Sequence, residues 1–553
     1  MVTKIFQNGV NFFTKKQNTI LSAALIISGM MLFSRVLGLI RSRMLAGTFG
    51  AGGELDVYFA AFRLPDLIFQ LLVMGALSSS FIPVFSSYLE KKGEDLSWKL
   101  ARDVINSATL IFAFLAVFIF IFTKPLSYII APDFTEVQIN QMVPLIRIMI
   151  VGQLFLIISN FVTGVIQSFK RFLIPALSPV LYNLGIIIGI YFWSGRYGIL
   201  GPTIGVVLGC FLHFIIQVPL LIKLGYRNFS LKIDFKDAGL REVGRLMLPR
   251  TLGLAVSQID PTVDVILASA ITGGVSVFNL ALNIQSVPVG LFGFAIATAA
   301  LPSLSSEFSK EDLTKFKGVF LDSLHQILFL TIPASIFLIV LRVPIVRLFL
   351  GTGKFTWEDT LATAMTLGFF SISIAAQSMV HLLARGFYAL HDTRIPVIAS
   401  FASMLINVVT AILFVRTDLS IGGLALAASL ANFVNAFILL IMLDRKVHYF
   451  NRREFFIPIV KTIFTSVVMG ASIYIPVKLL DQVFLDTRYT LNLLILVILV
   501  SSFGGLIFLI LSYILDIKEL KILIGILKKI REFPKIFLKA DVEEILSDKT
   551  PIS

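Results

Sequence analysis

Apolar residues in this chain gather into long runs, and the polar residues fall mainly in the short stretches between them. A helix that crosses a bilayer needs about 20 predominantly apolar residues. On that measure the pattern predicts about fourteen spanning helices, at 20–47, 55–89, 104–131, 138–168, 174–194, 198–224, 243–271, 275–306, 316–341, 359–390, 394–415, 419–443, 456–480 and 490–515. The reading is an all-α polytopic membrane protein. The tail over 516–553 differs in kind. Leu520, Leu523, Ile524, Leu527 and Ile530 recur at helical spacing with Lys521, Lys528, Lys529 and Arg531 between them. That is a basic amphipathic helix, suited either to an anionic inner leaflet or to the protein's own cytoplasmic face.

The pattern repeats. Arg35-Val36-Leu37-Gly38-Leu39 returns as Arg250-Thr251-Leu252-Gly253-Leu254. Ala76–Ser87 returns as Ala295–Ser306, each with a proline at the same place, Pro83 and Pro302. Gly198-Ile199-Leu200-Gly201 returns as Ser420-Ile421-Gly422-Gly423 at nearly the same offset. Six helices are thus duplicated in one orientation. The expected division is an N-terminal lobe at 1–224, a C-terminal lobe at 241–443, two appended helices at 456–515 and the tail at 516–553. Parallel repeats of this kind build a cavity between two lobes that rock about a midplane site.

Composition supports the membrane reading: 57% of the 553 residues are hydrophobic and 14% are charged, against about 25% charged in a soluble domain. The net charge of +14 does not point to nucleic acid, because the basic residues lie in short clusters between apolar runs. Lys91, Lys92 and Lys99, Lys170 and Arg171, Lys223, Arg227, Lys232 and Lys236, Lys310, Lys315 and Lys317, and Arg445, Lys446, Arg452 and Arg453 mark one side. Glu54, Asp56, Asp133, Glu136, Asp481 and Asp486 mark the other. Lys and Arg identify the cytoplasmic side, which places both termini there. Arg342, Arg347 and Lys354 run against this alternation. The basic N-terminal stretch leads into an apolar run without a small-residue cleavage site, so it reads as a first spanning helix and not a removed signal peptide.

Ionisable residues inside the predicted spans are the candidate chemistry: Arg35, Arg41, Asp56, Arg63, Asp66, Arg147, Arg250, Asp260, Asp264, His381 and Arg385. An arginine near the bilayer centre costs from about 2.5 to over 10 kcal/mol, so it must face water, a partner or a ligand. The guanidinium fork matches phosphate oxygens two at a time. A cavity lined by Arg35, Arg41, Arg63 and Arg147 would suit a pyrophosphate. The alternative is that each arginine pairs with a carboxylate such as Asp56 or Asp66 as structural glue. Asp264 and Asn407 could hold Na⁺ or carry a proton, although a helix–helix hydrogen bond is the favoured reading of that pair. Asp260-Pro261, Leu64-Pro65 and Val287-Pro288-Val289-Gly290 are expected helix breaks. Gly198, Gly201, Gly205 and Gly209 form a small-residue stripe for helix pairing. Asp103 reads as a solvated helix cap.

No catalytic constellation emerges. The single Cys210 can form neither an internal disulfide nor a metal site. The histidines make no H-x-x-x-H pair, and neither a phosphate-binding loop nor a nucleophile elbow is present. An enzyme is not expected, and no cofactor is expected. Any transport would run on a coupling cation, on membrane potential or on consumption of the substrate.

The runs FSRVLGLIR and DVYFAAFRLPDLIFQLLVMGALSSSFIPVFSSY, followed by ALSPVLYNLGIIIG, GVVLGCFLHFIIQVPLL, GLFGFAIATAALPSLS and LLARGFYALHDTRIPV, resemble the MurJ-type (MviN-like) lipid II flippases. That family lies within the multidrug/oligosaccharidyl-lipid/polysaccharide exporter superfamily. The resemblance covers about residues 20 to 440. It implies fourteen helices in two six-helix lobes, with alternating access that moves an undecaprenyl-pyrophosphate-linked peptidoglycan precursor, lipid II, from the inner to the outer leaflet of the bacterial cytoplasmic membrane. It also implies a groove for the prenyl tail on the last two spans. By matching motif, Arg35 and Arg41 are the family's cavity arginines, Asp56 its acid at the start of the second helix, and Arg63 its basic residue before Leu-Pro. The chain departs from the family where Phe69, Gln70 and Met74 replace an arginine and an acid, and where Asn283 replaces an arginine of the eighth helix. Arg63, Arg147 or Arg250 would then compensate, or neutral donors such as Gln70, Asn283 and Gln285 would hold the head group, or the substrate is another lipid-linked oligosaccharide. The expected partners are this glycolipid and membrane lipids, with the protein a monomer.

Overall fold

A computed structural model describes residues 20–74, 80–226, 230–480, 486 and 489–525, without the side chains of 20–26, 28, 74, 249, 250, 252 and 253. Every regular element among the described residues is helical. In chain order the helices are α1 (Ile20–Phe49), α2 (Gly53–Phe69), α3 (Ile82–Lys91), α4 (Glu94–Ile121), α5 (Thr123–Ile130), α6 (Glu136–Ser168), α7 (Leu173–Tyr197), α8 (Leu200–Ile215), α9 (Val218–Lys223), α10 (Ala238–Ser257) and α11 (Ile259–Ala268). They continue as α12 (Gly274–Pro288), α13 (Ala295–Ser309), α14 (Leu313–Val340), α15 (Arg342–Leu350), α16 (Trp357–Ile372), α17 (Ile374–Ala389), α18 (Arg394–Phe414), α19 (Ile421–Lys446), α20 (Arg452–Leu479) and α21 (Thr490–Ile514).

Local sequence sets many of the starts. Thr135 and Gln138 form a reciprocal capping box at α6, while Asp237, Asp312 and Asn451 accept from the first backbone N–H groups of α10, α14 and α20. Such caps satisfy donors that a helix start otherwise leaves orphaned. The prolines act less uniformly than expected. The break near Asp260-Pro261 is present, at Gln258 between α10 and α11. At Pro65, however, α2 runs straight through, and a π-helical turn follows over Gln70–Met74. Pro288 likewise leads into a π-helical turn over Val289–Phe294. A wider turn absorbs the register change without a full break.

Ten helical spans among the described residues are long and apolar enough to cross a membrane, or eleven if α16 and α17, bent by 43°, count as one. The other expected spans are α1, which carries Arg35, Arg41 and Arg43, the α2–α3 region with its π-helical turn, and the broken α10–α11 pair. Fourteen is consistent with this pattern.

The chain divides into two compact units, neither of them continuous in sequence. The first comprises Met1–Val287, Arg342–Phe370 and Val397–Val434. Within it α7 and α8 pack glycine against glycine. A Cβ on Gly189 would lie 2.5 Å from Gly205 Cα, and one on Gly205 would lie 2.9 Å from Gly185 O. Gly201 sits against Ser194 and Gly209 against Tyr182. Gly198 does not join this stripe. It forms the α7–α8 turn with φ +54 and open space around it. Asp103 is no solvated cap either. It is fully buried on α4, held by Arg102 Nε and Nη2 at 2.9 and 2.7 Å. Of the basic residues that break the charge alternation, Arg347 stacks over Trp357 at 5.2 Å, and Lys354 donates its backbone N–H to Gly47 O at 2.7 Å.

The second unit comprises Pro288–Leu341, Ser371–Pro396 and Asn435–Ser553. Here α14 packs on α20, and α20 on α21. Ile517 and Leu520 of the tail are buried in a cluster with Phe329, Met469 and Phe508, so the first turns of the tail use their apolar face on the protein itself. Leu527, Ile530, Lys528, Lys529 and Arg531 lie outside the described residues.

Candidate substrate-binding site

The first unit holds a half-open cavity of about 320 Å³. Its wall combines four elements and a fifth: Arg41 and Leu45 from α1, Tyr58, Phe59, Phe62 and Asp66 from α2, Gln153 and Leu156 from α6, Tyr182 from α7, and Asn279 and Asn283 from α12. Helical periodicity explains the selection. Phe62 and Asp66 are four apart on α2, as are Arg41 and Leu45 on α1 and Asn279 and Asn283 on α12, so each pair occupies one face.

Arg41 donates from Nη1 to Asn183 Oδ1 at 3.0 Å. Asn183 is itself fixed, because its Nδ2 donates to Ser34 Oγ at 3.1 Å and to Pro179 O at 3.1 Å. Arg41 Nε is buried without a partner among the described residues. Arg35 makes one long bond, Nη1 to Ser286 O at 3.4 Å. Neither arginine forms an ion pair among the described residues, so both keep guanidinium donors for a ligand.

The remaining predicted site residues are placed elsewhere. Arg63 is engaged at the α10–α11 break: Nε donates to Thr262 Oγ1 at 2.8 Å, and Nη2 donates to Gln258 O at 2.7 Å and Gln258 Oε1 at 3.0 Å. Its planar fork matches carbonyl and hydroxyl oxygens that the broken helix exposes. Arg147 lies over the Phe120 ring at 4.7 Å with Nε buried and unpartnered. Asp56 is fully buried and accepts from Gly273 N–H at 2.7 Å, Ser276 N–H at 2.7 Å and Ser276 Oγ at 2.6 Å. It therefore ties α2 to the start of α12 and does not line the cavity. Gln285 is buried outside the cavity lining. The side chain of Arg250 lies outside the described residues. Of the four arginines expected to share one cavity, Arg41 lines it and Arg35, Arg63 and Arg147 do not.

A second polar cluster joins α11 to α18. Asn407 Nδ2 donates to Asp260 Oδ1 at 2.6 Å and to Asp264 Oδ1 at 3.3 Å. The structure brings Asp264 and Asn407 together and adds Asp260, one helical turn before Asp264. Asn407 is fully buried, and its Oδ1 has no partner among the described residues. A helix–helix hydrogen bond is thus present, and it brings the carboxylates of Asp260 and Asp264 onto one buried amide.

Sequence reasoning did not single out Asn183, Gln153 or Tyr182. Asn183 carried a signal, as an amide within the apolar run LSPVLYNLGIIIG. Gln153 stands similarly in IVGQLFLII. Tyr182 carried none, since an aromatic in an apolar helix is ordinarily core.

A family profile described as "Lipid II flippase MurJ" matches residues 45–495. A relative from Thermotoga maritima, named "Probable lipid II flippase MurJ", is 30% identical over 451 residues, spanning 79% of this chain and 88% of the relative. A solved structure described as "Lipid II flippase MurJ, inward closed conformation" superposes with a TM-score of 0.74 at 27% identity, covering 89% of this chain and 98% of that one. An inward-facing multidrug resistance MATE family transporter of the MOP superfamily shares the fold, with a TM-score of 0.62 at 15% identity, covering 77% of this chain and 98% of that one. Agreement over most of the chain in both sequence and fold is the mark of common descent, and this chain belongs to the lipid II flippase MurJ family.

Proposed function

We propose that this protein is a lipid II flippase of the bacterial cytoplasmic membrane, moving the undecaprenyl-pyrophosphate-linked peptidoglycan precursor from the inner to the outer leaflet by alternating access. Transport, and not bond chemistry, is its activity. Arg41 carries the reading. It is held at the pocket by a fixed amide, forms no ion pair among the described residues, and has a buried Nε left to donate. Arg35 supplies further donors from the same helix. Together they grip the diphosphate, while α20 and α21 hold the prenyl tail. The lobes at 1–224 and 241–443 rock about this site, and the protein acts as a monomer with both termini cytoplasmic. Asp260, Asp264 and Asn407 are the proposed site for a coupling cation or proton, since their clustered oxygens supply hard-cation ligands.

Arg41→Ala is expected to abolish rescue of a peptidoglycan-flippase depletion while protein levels stay normal. Full rescue by that variant overturns the arginine model. A second reading, export of another undecaprenyl-pyrophosphate-linked oligosaccharide, is favoured by Asn283 standing where the family carries an arginine. Failure of the wild-type chain to rescue the same depletion would select it.

A further inference from the structure

Arg147 is a spanning arginine that the cavity does not use. Arg35, Arg41, Arg63 and Arg385 each donate at least one hydrogen bond within the protein. Arg147 donates none among the described residues, and no carboxylate there pairs with it. It lies over the Phe120 ring at 4.7 Å, with Nε buried against the protein. A ring face attracts the charge but accepts from none of the in-plane N–H groups. Glu136, the acid at the head of the same helix, is already taken by Lys124 Nζ at 2.6 Å and by the Tyr128 hydroxyl.

Its position on α6 shows what it meets. Asn140, Pro144, Arg147 and Val151 recur at the spacing of one helical face, and Asn140, Pro144 and Val151 are exposed. Gln153 and Leu156, on the cavity wall, stand about 120° and 180° round the helix from Arg147. Arg147 therefore faces away from the cavity. On α4, Phe120 shares its exposed surface with Phe114 and Val117, an apolar face suited to lipid chains. Helical side chains lean towards the N-terminus, here the Glu136 end of α6. Phe120 stands in the last turn of α4, and the exposed Tyr128 follows on α5. Tyrosines of this kind mark the level where a bilayer meets water. At 33 residues α6 is about 50 Å long, against about 30 Å of hydrocarbon, so a residue three turns in is still near the boundary. A guanidinium at that level, turned to lipid and unmet by protein, fits phosphate oxygens. We infer that Arg147 and Phe120 form a lipid-phosphate site between α4 and α6, separate from the substrate cavity. In the topology proposed above it belongs to the outer leaflet. The phosphate is that of a phospholipid or of a prenyl diphosphate, and the guanidinium reads the chemistry the two share.

The test titrates the delipidated full chain in detergent with phosphatidylglycerol, with undecaprenyl pyrophosphate and, as a phosphate-free control, with dioleoylglycerol, read by native mass spectrometry. Arg147→Gln is expected to lower affinity for a phosphate-bearing lipid about tenfold, the scale of lost charge-assisted hydrogen bonds. Arg147→Lys should lose less, since a lysine stem carries its charge to the same level. Phe120→Leu should cost about two- to fivefold. Dioleoylglycerol should not respond to any of them. Arg41→Ala, on the cavity, should leave phosphatidylglycerol unchanged. A loss confined to phosphatidylglycerol assigns the site to a resident phospholipid. A loss of undecaprenyl pyrophosphate on adding Arg147→Gln to Arg41→Ala assigns it to a prenyl diphosphate. Unchanged affinity for both in Arg147→Gln overturns the inference, as does an equal loss of dioleoylglycerol, which would make the site an apolar crevice. If Arg147→Gln fails to fold, Phe120→Leu, at an exposed ring, decides by the same comparison. Wild-type protein that never retains undecaprenyl pyrophosphate counts against the flippase reading alone, and the phosphatidylglycerol series then decides this site.

Discussion

Asp56 offers the sharpest test of how the cavity is held together. The residue preceding α12 is Gly273, which has no side chain to cap the helix, and Asp56 takes that task from α2. Its carboxylate accepts from Gly273 N–H, Ser276 N–H and Ser276 Oγ at 2.6–2.7 Å, fully buried. A negative charge at a helix N-terminus is also favoured by the peptide dipoles. Asp56→Ala leaves two buried backbone donors unmet, each costing about 1–3 kcal/mol, and loses the hydroxyl bond. The expected destabilisation is about 3–6 kcal/mol. Asp56→Asn keeps one acceptor oxygen but turns an NH₂ towards a second donor, for about 1–3 kcal/mol. Equilibrium unfolding in mixed detergent micelles measures both. A double-mutant cycle with Ser276→Ala should be non-additive, because the two side chains share one interaction. Additivity to within about 0.5 kcal/mol, or an Asp56→Ala variant as stable as wild type, refutes the staple and returns Asp56 to a direct role with substrate.

Other expectations follow from the same geometry. Arg63→Ala should destabilise the first unit by about 2–4 kcal/mol through its three lost charge-assisted hydrogen bonds, and Arg63→Lys should not restore it in the same unfolding assay, since a single ammonium cannot reproduce the fork. Gly189→Leu should disrupt the α7–α8 contact and lower the yield of folded protein, because the added Cβ meets Gly205 Cα at 2.5 Å. Gly198→Ala should cost roughly 1–2 kcal/mol, from the left-handed backbone alone. In the α17–α18 loop, the Lys446 ammonium holds the Asp392 carboxyl below its usual range. Its contribution is present above the unfolded carboxyl's pKa of about 3.9 and is lost as pH falls through the lowered folded value. Lys446→Met should therefore be less stable than wild type at neutral pH, by under about 1 kcal/mol for so exposed a pair, with the two curves converging in acid.

Much of the site was legible as residue types. Arg41 announced itself because a guanidinium in an apolar run must be accounted for. The structure places it on a cavity wall with an unmet donor. The same logic placed Arg63 and Arg147 beside it, and there it reached its limit. A buried arginine can be satisfied by a broken helix or an aromatic face as well as by a ligand, and nothing along the chain distinguishes these. Gly205 and Gly209 were legible as a packing stripe, whereas Gly198, in the same series, proved to be a turn.

The sequence by itself determined the class of molecule and where its helices run, because both follow from apolar length and local capping, which are properties of contiguous residues. It also determined which residues were too polar for lipid. The tertiary structure decided their occupation. Asn183 fixes Arg41 from 142 positions away, Asp56 caps a helix more than 200 positions on, and Gln153, on the wall of the same pocket as Arg41, is left with an oxygen that has no partner among the described residues. Hydrogen bonds between distant helices depend on register and rotation, and those are set by packing, which no local pattern records.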